Sequence, residues 1–237
     1  MSDITEAFGQ ALSLAISGDP AFHEIVGLSL RVSSASAALA CLLGIPLGAW
    51  LAVSSFPGRS VLISVVNAAL GVPSVVIGLV VYLMLSRSGP LGFLGLLFTP
   101  TAMVAAQTVL IAPMVAALSR QTLQDTWGEY RDLFASWRLG RLTAITTLLW
   151  DCRFSLVTIA LAGFGRAIAE IGAVMTVGGN IAGSTRVMTT GIALEASKGD
   201  LALALGLGIV LLVIVLVVMF AAQVLQQSAQ RRYGGSR

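Results

Sequence analysis

Three charged residues lie within apolar stretches of the sequence, and they are the first candidates for chemistry: Arg31, Arg166 and Glu170. An arginine at the centre of a bilayer costs at least about 2.5 kcal/mol on insertion scales, so such residues usually face protein or water. Arg166 and Glu170 are four residues apart and can pair on one face of a helix. The alternative is that they line a path for an anion. Arg31 lies near the end of its stretch, where its side chain can reach the interface.

The other reactive residue types do not form a recognisable site. The single lysine, Lys198, is followed by Gly199 and Asp200, whereas a nucleotide-binding P-loop requires Gly-Lys-Ser or Gly-Lys-Thr. Cys41 and Cys152 have no metal-ligand spacing, and no cluster of His, Asp or Glu is typical of a catalytic or metal site. We therefore expect a protein that is not an enzyme, holds no metal and carries no cofactor of its own.

Composition places the chain in a membrane. Hydrophobic residues make up 57% of it and charged residues only 11%, where a soluble domain has about 25% charged residues. Each span should be helical, because hydrocarbon offers no partners for backbone N–H and C=O groups. The sequence predicts an all-α integral membrane protein, one transmembrane domain over 1–237. Its five apolar runs of the roughly 20 residues that a span needs are near 25–53, 61–85, 99–119, 154–179 and 201–225.

Basic residues orient these spans. Nine arginines fall on the side that holds the segment 120–153 and the C-terminus: Arg59, Arg120, Arg131, Arg138, Arg141, Arg153, Arg231, Arg232 and Arg237. Only Arg87, Arg186 and Lys198 fall on the other side. This bias predicts a cytoplasmic C-terminus and an external N-terminus, and it explains the net charge without nucleic acid. Residues 3–17 are expected to form an interfacial helix on the outer membrane surface.

The segment 120–153 is more than a connection, because two to eight residues would join two spans. Aromatic residues recur at helical spacing in its first half, at Trp127, Tyr130, Phe134 and Trp137. Leucines and an isoleucine do the same after Gly140, which marks a sharp turn between two helices. This hairpin either rests its apolar face on the membrane or docks into a groove on another protein.

Several stretches resemble a known family. Phe134-Ala-Ser-Trp-Arg-Leu-Gly140 is similar to the coupling loop, E-A-A-x-x-x-G, of the membrane subunits of bacterial ABC importers, although Phe134 stands where Glu is usual and Asp132 is two residues earlier. Four further blocks resemble the permeases of the molybdate, sulfate and tungstate importers, most of all the tungstate type: GIPLGAWLA (44–52), GVPSVVIGLVVYLMLSRSGPLG (71–92), AQTVLIAPMVAAL (106–118) and GFGRAIAEIGAVMTVGGNI (163–181).

The resemblance implies a permease subunit of an ATP-driven importer for an oxyanion, a homodimer of the type I ABC importer fold in the bacterial inner membrane. It also implies two ABC ATPase subunits on the cytoplasmic side, which would bind ATP and magnesium, and an extracytoplasmic oxyanion-binding protein. The residues implied to contact the ATPase are Asp132, Leu133, Phe134, Ala135, Ser136, Trp137, Arg138, Leu139 and Gly140.

The residues predicted to line the transport pathway or to form its gate are Gly71, Pro73, Ser74, Arg166 and Glu170. Pro73 lies within an apolar run and removes a helical hydrogen bond, so it marks either a gate or a static kink. The segment 180–200 either receives the binding protein or is a solvated loop. Tungstate is the favoured cargo, and the alternatives are molybdate, sulfate, or a proton-coupled secondary transporter that uses Arg166 and Glu170.

Overall fold

The structure is a computed structural model, which describes residues 19–233, with side chains as far as Gln227. This part of the chain is helical and has no strand. The predicted interfacial helix over 3–17 lies outside the described residues. The helices are α1 (Pro20–Val53), α2 (Arg59–Ala69), α3 (Ser74–Leu85), a 3-10 turn (Gly92–Leu94), α4 (Pro100–Ser136), α5 (Arg141–Asp151), α6 (Arg153–Ile168), α7 (Gly172–Gly178), α8 (Met188–Lys198) and α9 (Leu201–Tyr233).

Three described helices are long and apolar enough to cross a membrane: α1, α4 and α9. Two helix pairs, α2 with α3 and α5 with α6, satisfy the same requirement only together, and each pair is bent by more than 40° at a short break. The number of spans is therefore three, or up to five when each bent pair counts as one.

The start of α1 agrees with its sequence, because the Asp19 carboxylate accepts the N–H of Ala21 at 2.9 Å and Pro20 is the first helical residue.

Two predicted spans are not continuous helices. The span predicted over 61–85 breaks between Ala69 and Ser74. Pro73 stands before α3 with φ −59° and ψ 133°, so it limits the start of a helix and does not kink the interior of one. The span predicted over 154–179 breaks between Ile168 and Gly172. Apolar composition does not report whether a helix is continuous. The bent pair that could form a span in this region is α5 with α6 (Arg141–Ile168), so its bounds differ from the predicted 154–179.

Helix α4 is longer than predicted. Its 37 residues extend over about 55 Å at 1.5 Å per residue, so the predicted span 99–119 and the first part of the segment 120–153 form one helix. This helix ends at Ser136, and α5 begins at Arg141 after a four-residue turn.

The described chain divides into two compact units. The first comprises 19–36, Pro73–Gln107 and Gly165–Val218. In it, α3 packs directly on α7, since a Cβ placed on Gly78 would lie 2.7 Å from the Cα of Ala173. The core around this contact includes the buried side chains of Val32, Val81, Met103, Val174 and Val177.

The second unit comprises Ala37–Val72, Thr108–Phe164 and the part of α9 from Met219 onward. Two glycines, Gly44 and Gly48, bring α1 against the backbone of α4. A Cβ on Gly44 would lie 2.8 Å from the carbonyl oxygen of Ala112, and one on Gly48 would lie 2.6 Å from that of Ala116. Small residues four apart are the usual means of such a close approach between helices in membranes.

Candidate functional site

The break between α6 and α7 lies within the first unit, and buried polar side chains surround it. A helix that stops within a membrane leaves backbone groups that need partners. Gln107, a buried residue of α4, supplies one, because its Nε2 donates to the carbonyl oxygen of Ala167 at 2.9 Å. The hydroxyl of Ser36 lies 2.8 Å from the Gln107 Oε1. The end of α6 is thus fixed by an amide from a neighbouring helix.

Glu170 lies in the break itself and is 3% exposed. Its Oε2 accepts a hydrogen bond from the Arg166 guanidinium at 2.6 Å, and its Oε1 accepts the N–H of Ala173 at 3.2 Å. The Ser74 hydroxyl donates to the same carboxylate. The Thr189 hydroxyl donates to the Glu170 carbonyl oxygen at 2.8 Å. The carboxylate therefore joins the end of α6, the first turn of α7 and the start of α3.

The cluster contains three of the five pathway candidates: Ser74, Arg166 and Glu170. Pro73 directly precedes Ser74 in the chain, and Gly71 belongs to the second unit. The Ser74 Oγ lies 2.7 Å from where a Cβ on Gly172 would stand, so Gly172 allows α3 to reach the break.

The Arg166 side chain keeps 44% of its surface exposed although it is paired. Its remaining N–H groups can attract an anion without holding it in a fully desolvated site, which is the weak binding that conduction requires. Sequence reasoning missed Gln107, Ser36 and Thr189. Gln107 could have been identified from the sequence, because it is the one amide side chain within the apolar stretch AQTVLIAPMVAAL. Polar side chains of this kind commonly form hydrogen bonds between helices in membranes.

The segment 180–200 is not a plain solvated loop, and that interpretation is wrong. After α7 the chain turns through Gly179 and Asn180, both at positive φ, and then forms α8. The buried residues of α8 include Thr190 and Glu195. The Glu195 carboxylate lies 3.0 Å from the Lys198 Nζ and 3.7 Å from a nitrogen of the Arg186 guanidinium. Half of this helix therefore packs into the first unit.

The turn between α4 and α5, in the second unit, differs from its prediction in one respect. The residue in the left-handed region is Arg138, with φ 52°. Gly140 has the ordinary values φ −68° and ψ 153°, and a Cβ placed there would meet no atom within 4 Å. The sharp turn is real, but this chain does not need a glycine at position 140 to make it.

Around the turn, the aromatic residues separate into two groups. Phe134 is buried, with its ring centroid 5.9 Å from that of Trp127 and 5.7 Å from that of Tyr130. Trp137 is 65% exposed and Leu142 is 80% exposed. The other residues predicted to contact an ATPase are all exposed: Asp132, Leu133, Ala135, Ser136, Arg138, Leu139 and Gly140.

The Asp151 carboxylate at the end of α5 accepts a hydrogen bond from the Tyr130 hydroxyl, and its negative charge raises the pKa of Tyr130. This contact joins the two helices on either side of the turn. In the described part of the chain, no group of His, Cys, Asp and Glu side chains is arranged to hold a metal ion.

Comparison with known proteins identifies relatives over most of the chain. A tungstate uptake system permease protein of Peptoclostridium acidaminophilum is 41% identical over 209 residues, which are 88% of this chain and 92% of that protein. A probable anion ABC transporter permease protein of Haloferax volcanii is 44% identical over 78% of this chain and 82% of its own length. A tungstate uptake system permease protein of Campylobacter jejuni is 35% identical over 95% and 94%. None of the protein-family models matches the chain.

Proposed function

Since the chain belongs to the ABC transporter permease family that includes the tungstate uptake permeases, we propose that it forms the membrane pathway of an importer for tungstate. The observation that carries this proposal is that two tungstate uptake permeases match the chain over 92% and 94% of their own lengths. Molybdate and sulfate are the alternative cargoes, because both are tetrahedral anions with two charges.

The exposed turn is the contact with an ATPase subunit. Large apolar side chains such as Trp137 and Leu142 are unfavourable in water, and tryptophan is a common anchor of protein interfaces. In the proposed orientation the turn faces the cytoplasm, where the basic residues of the chain are concentrated. The sequence has no Gly-Lys-Ser or Gly-Lys-Thr, so ATP and magnesium bind to the partner. Two ATPase subunits would engage two copies of the turn.

Two copies of the chain enclose the pathway, and an extracytoplasmic binding protein delivers the anion. Only two cationic side chains lie within the predicted spans, Arg31 and Arg166, and Arg166, near the break, is already paired with Glu170. Selectivity therefore lies mainly in the delivery protein, and the pathway is mostly neutral. No observation favours proton coupling through Glu170, because that carboxylate is held by three separate donors.

Substitution of Trp137 tests the coupling. Loss of an interface tryptophan commonly costs about 2 kcal/mol or more, so Trp137→Ala should weaken association with the ATPase by about 30-fold and abolish ATP-dependent tungstate uptake. Trp150→Ala is the matched control, since Trp150 is equally exposed but lies at the far end of α5. Equal effects of both changes would contradict the assignment of the turn.

The cargo is tested separately, with tungstate, molybdate and sulfate offered in turn to membrane vesicles that contain the chain, its ATPase and its binding protein. Uptake of tungstate well ahead of the other two is expected. Uptake that persists without the ATPase and stops when the proton gradient is removed would refute an ABC importer.

A further inference from the structure

Two cavities in the second unit lie on the same three helices. The first has a volume of about 520 Å³ and lies where α1 ends, α2 begins and α4 passes. Its lining is polar and includes Ser54, Ser55, Arg59, Gln124, Arg131 and Asp132. The second has a volume of about 320 Å³ and an almost wholly apolar lining that includes Leu43, Leu47, Val65, Ala69, Val109 and Pro113.

The apolar cavity is displaced from the polar one along all three helices. On α1 the step from Leu47 to Ala52 corresponds to about 7 Å, and on α2 the step from Arg59 to Val65 corresponds to about 9 Å, at 1.5 Å per residue. On both helices the displacement runs from the helix end at the polar cavity towards the middle of the apolar segment. A molecule with a polar head and a long apolar tail would span both cavities.

The polar cavity has uncompensated positive charge. The Arg59 guanidinium donates to the Leu51 carbonyl oxygen at 2.8 Å and to the Gln124 Oε1 at 3.1 Å. The Arg120 guanidinium, which is not itself part of the lining, donates to the same Gln124 oxygen at 2.7 Å. Neither arginine takes part in an ion pair among the described residues. Arg131, by contrast, lies 3.7 Å from Asp132.

Aromatic residues of the kind found at the depth of lipid headgroups lie beside the polar cavity. The rings of Trp50 and Phe56 are stacked with their centroids 4.7 Å apart. Trp50 lies two residues before the lining residues Ala52–Ser55 and Phe56 directly follows them. Trp50 is exposed, and tryptophans of this kind are concentrated at membrane–water interfaces. A phosphate group at this depth would belong to a lipid more readily than to a solute.

We propose that these two cavities together bind one anionic phospholipid, with its phosphate beside Arg59 and an acyl chain in the apolar cavity. Arg120 adds positive charge next to this position, because it shares the partner Gln124 with Arg59. Basic pockets between membrane helices are suited to acidic headgroups. A free phosphate or tungstate ion would satisfy the arginines but would leave the apolar cavity unexplained. In the proposed orientation the lipid belongs to the cytoplasmic leaflet, and the site depends on membrane insertion alone, not on the identity of the transported anion.

Native mass spectrometry tests the headgroup contact. The full-length chain, with any subunits that co-purify, is titrated with phosphatidylglycerol and with phosphatidylcholine. Phosphatidylglycerol should be retained preferentially, one molecule per chain. An arginine near a membrane surface contributes about fivefold to the binding of acidic lipid, so Arg59→Gln with Arg120→Gln should weaken retention by about 25-fold. Arg59→Lys with Arg120→Lys should preserve it, and Arg141→Gln, at an exposed arginine away from the cavity, is the control.

A second pair of variants tests the tail contact without a change of charge. Ala69→Phe fills the apolar cavity and should abolish retention, whereas Ala68→Phe, at the exposed neighbouring position, should not. Equal retention of both lipids, or full displacement of phosphatidylglycerol by inorganic phosphate, would overturn the proposal. So would dissociation of a dimer by Ala69→Phe with lipid retention unchanged, which would assign the apolar cavity to a second copy of the chain. Lipid retention is measured without transport, so the result tests the lipid site separately from the proposal of tungstate uptake.

Discussion

Replacement of Glu170 by glutamine and by alanine separates the two roles that the structure gives this side chain. Glutamine removes the charge beside Arg166 but keeps an oxygen for the Ala173 N–H, whereas alanine removes both. Breaking a fully buried ion pair costs about 3–5 kcal/mol. Because Arg166 is 44% exposed, solvent can reach the cation left behind, and we expect only about 1–2 kcal/mol for Glu170→Gln. Loss of the acceptor for an N–H in the first turn of a helix adds about 1 kcal/mol, so Glu170→Ala should cost about 2–3 kcal/mol.

The assay is denaturant unfolding of the purified protein in detergent, with tungstate uptake measured in parallel. Arg166→Gln with Glu170→Gln should be more stable than Glu170→Gln alone, because the pair is removed as a unit and no unpaired cation remains. Equal stability of the alanine and glutamine variants would refute the role of Glu170 in joining α6 to α7. If Arg166→Gln abolishes uptake and leaves stability unchanged, Arg166 is a pathway residue, and the pairing with Glu170 is not its main function.

Three further predictions concern single positions. Gly78→Ala should destabilise the protein by about 1–3 kcal/mol through overpacking, as measured by unfolding, whereas Gly27→Ala, where a Cβ meets nothing within 4 Å, should not. Gly140→Ala should leave the stability of the isolated chain unchanged for the same reason, and a measured loss would show that the turn is strained. The raised pKa of Tyr130 stabilises the folded protein below the ordinary tyrosine pKa of about 10, and this stabilisation is lost as the pH rises through the folded-state pKa. Asp151→Asn should remove it, which alkaline absorbance titration of the tyrosines would detect as an earlier midpoint.

Local signals in the sequence identified much of the fold. The start of α1 at Pro20 follows the capping residue Asp19, and the end predicted for the fourth span, at 179, coincides with the end of α7 at Gly178. Such ends are marked locally, because capping and left-handed turns depend on a few adjacent residues. The pairing of Arg166 with Glu170 followed from their spacing of four. These features require no knowledge of what packs against the helix.

The breaks in the second and fourth predicted spans could not be predicted from hydropathy. A helix stops within a membrane only where other residues take over its hydrogen bonds, and at the fourth span this requires Gln107 and Thr189, which are distant in sequence. At the turn, Gly140 was the obvious residue to expect in an unusual backbone conformation, but Arg138 adopts it instead. There the preceding helix includes the buried Phe134 and ends at Ser136. The backbone then turns at Arg138.

The close approach of α1 to α4 at Gly44 and Gly48 restricts how the protein can move. A screw shift of α1 by one residue, about 1.5 Å along its axis and about 100° around it, would put Leu43 or Leu47 where Gly44 or Gly48 stands now. The carbonyl oxygens of α4 leave no room there even for a methyl group. The packing therefore opposes a change of register between the two helices at this crossing, and we expect them to move together there during transport. A covalent cross-link between these helices at this crossing should then be compatible with transport activity, and loss of activity on cross-linking would show that the crossing itself moves.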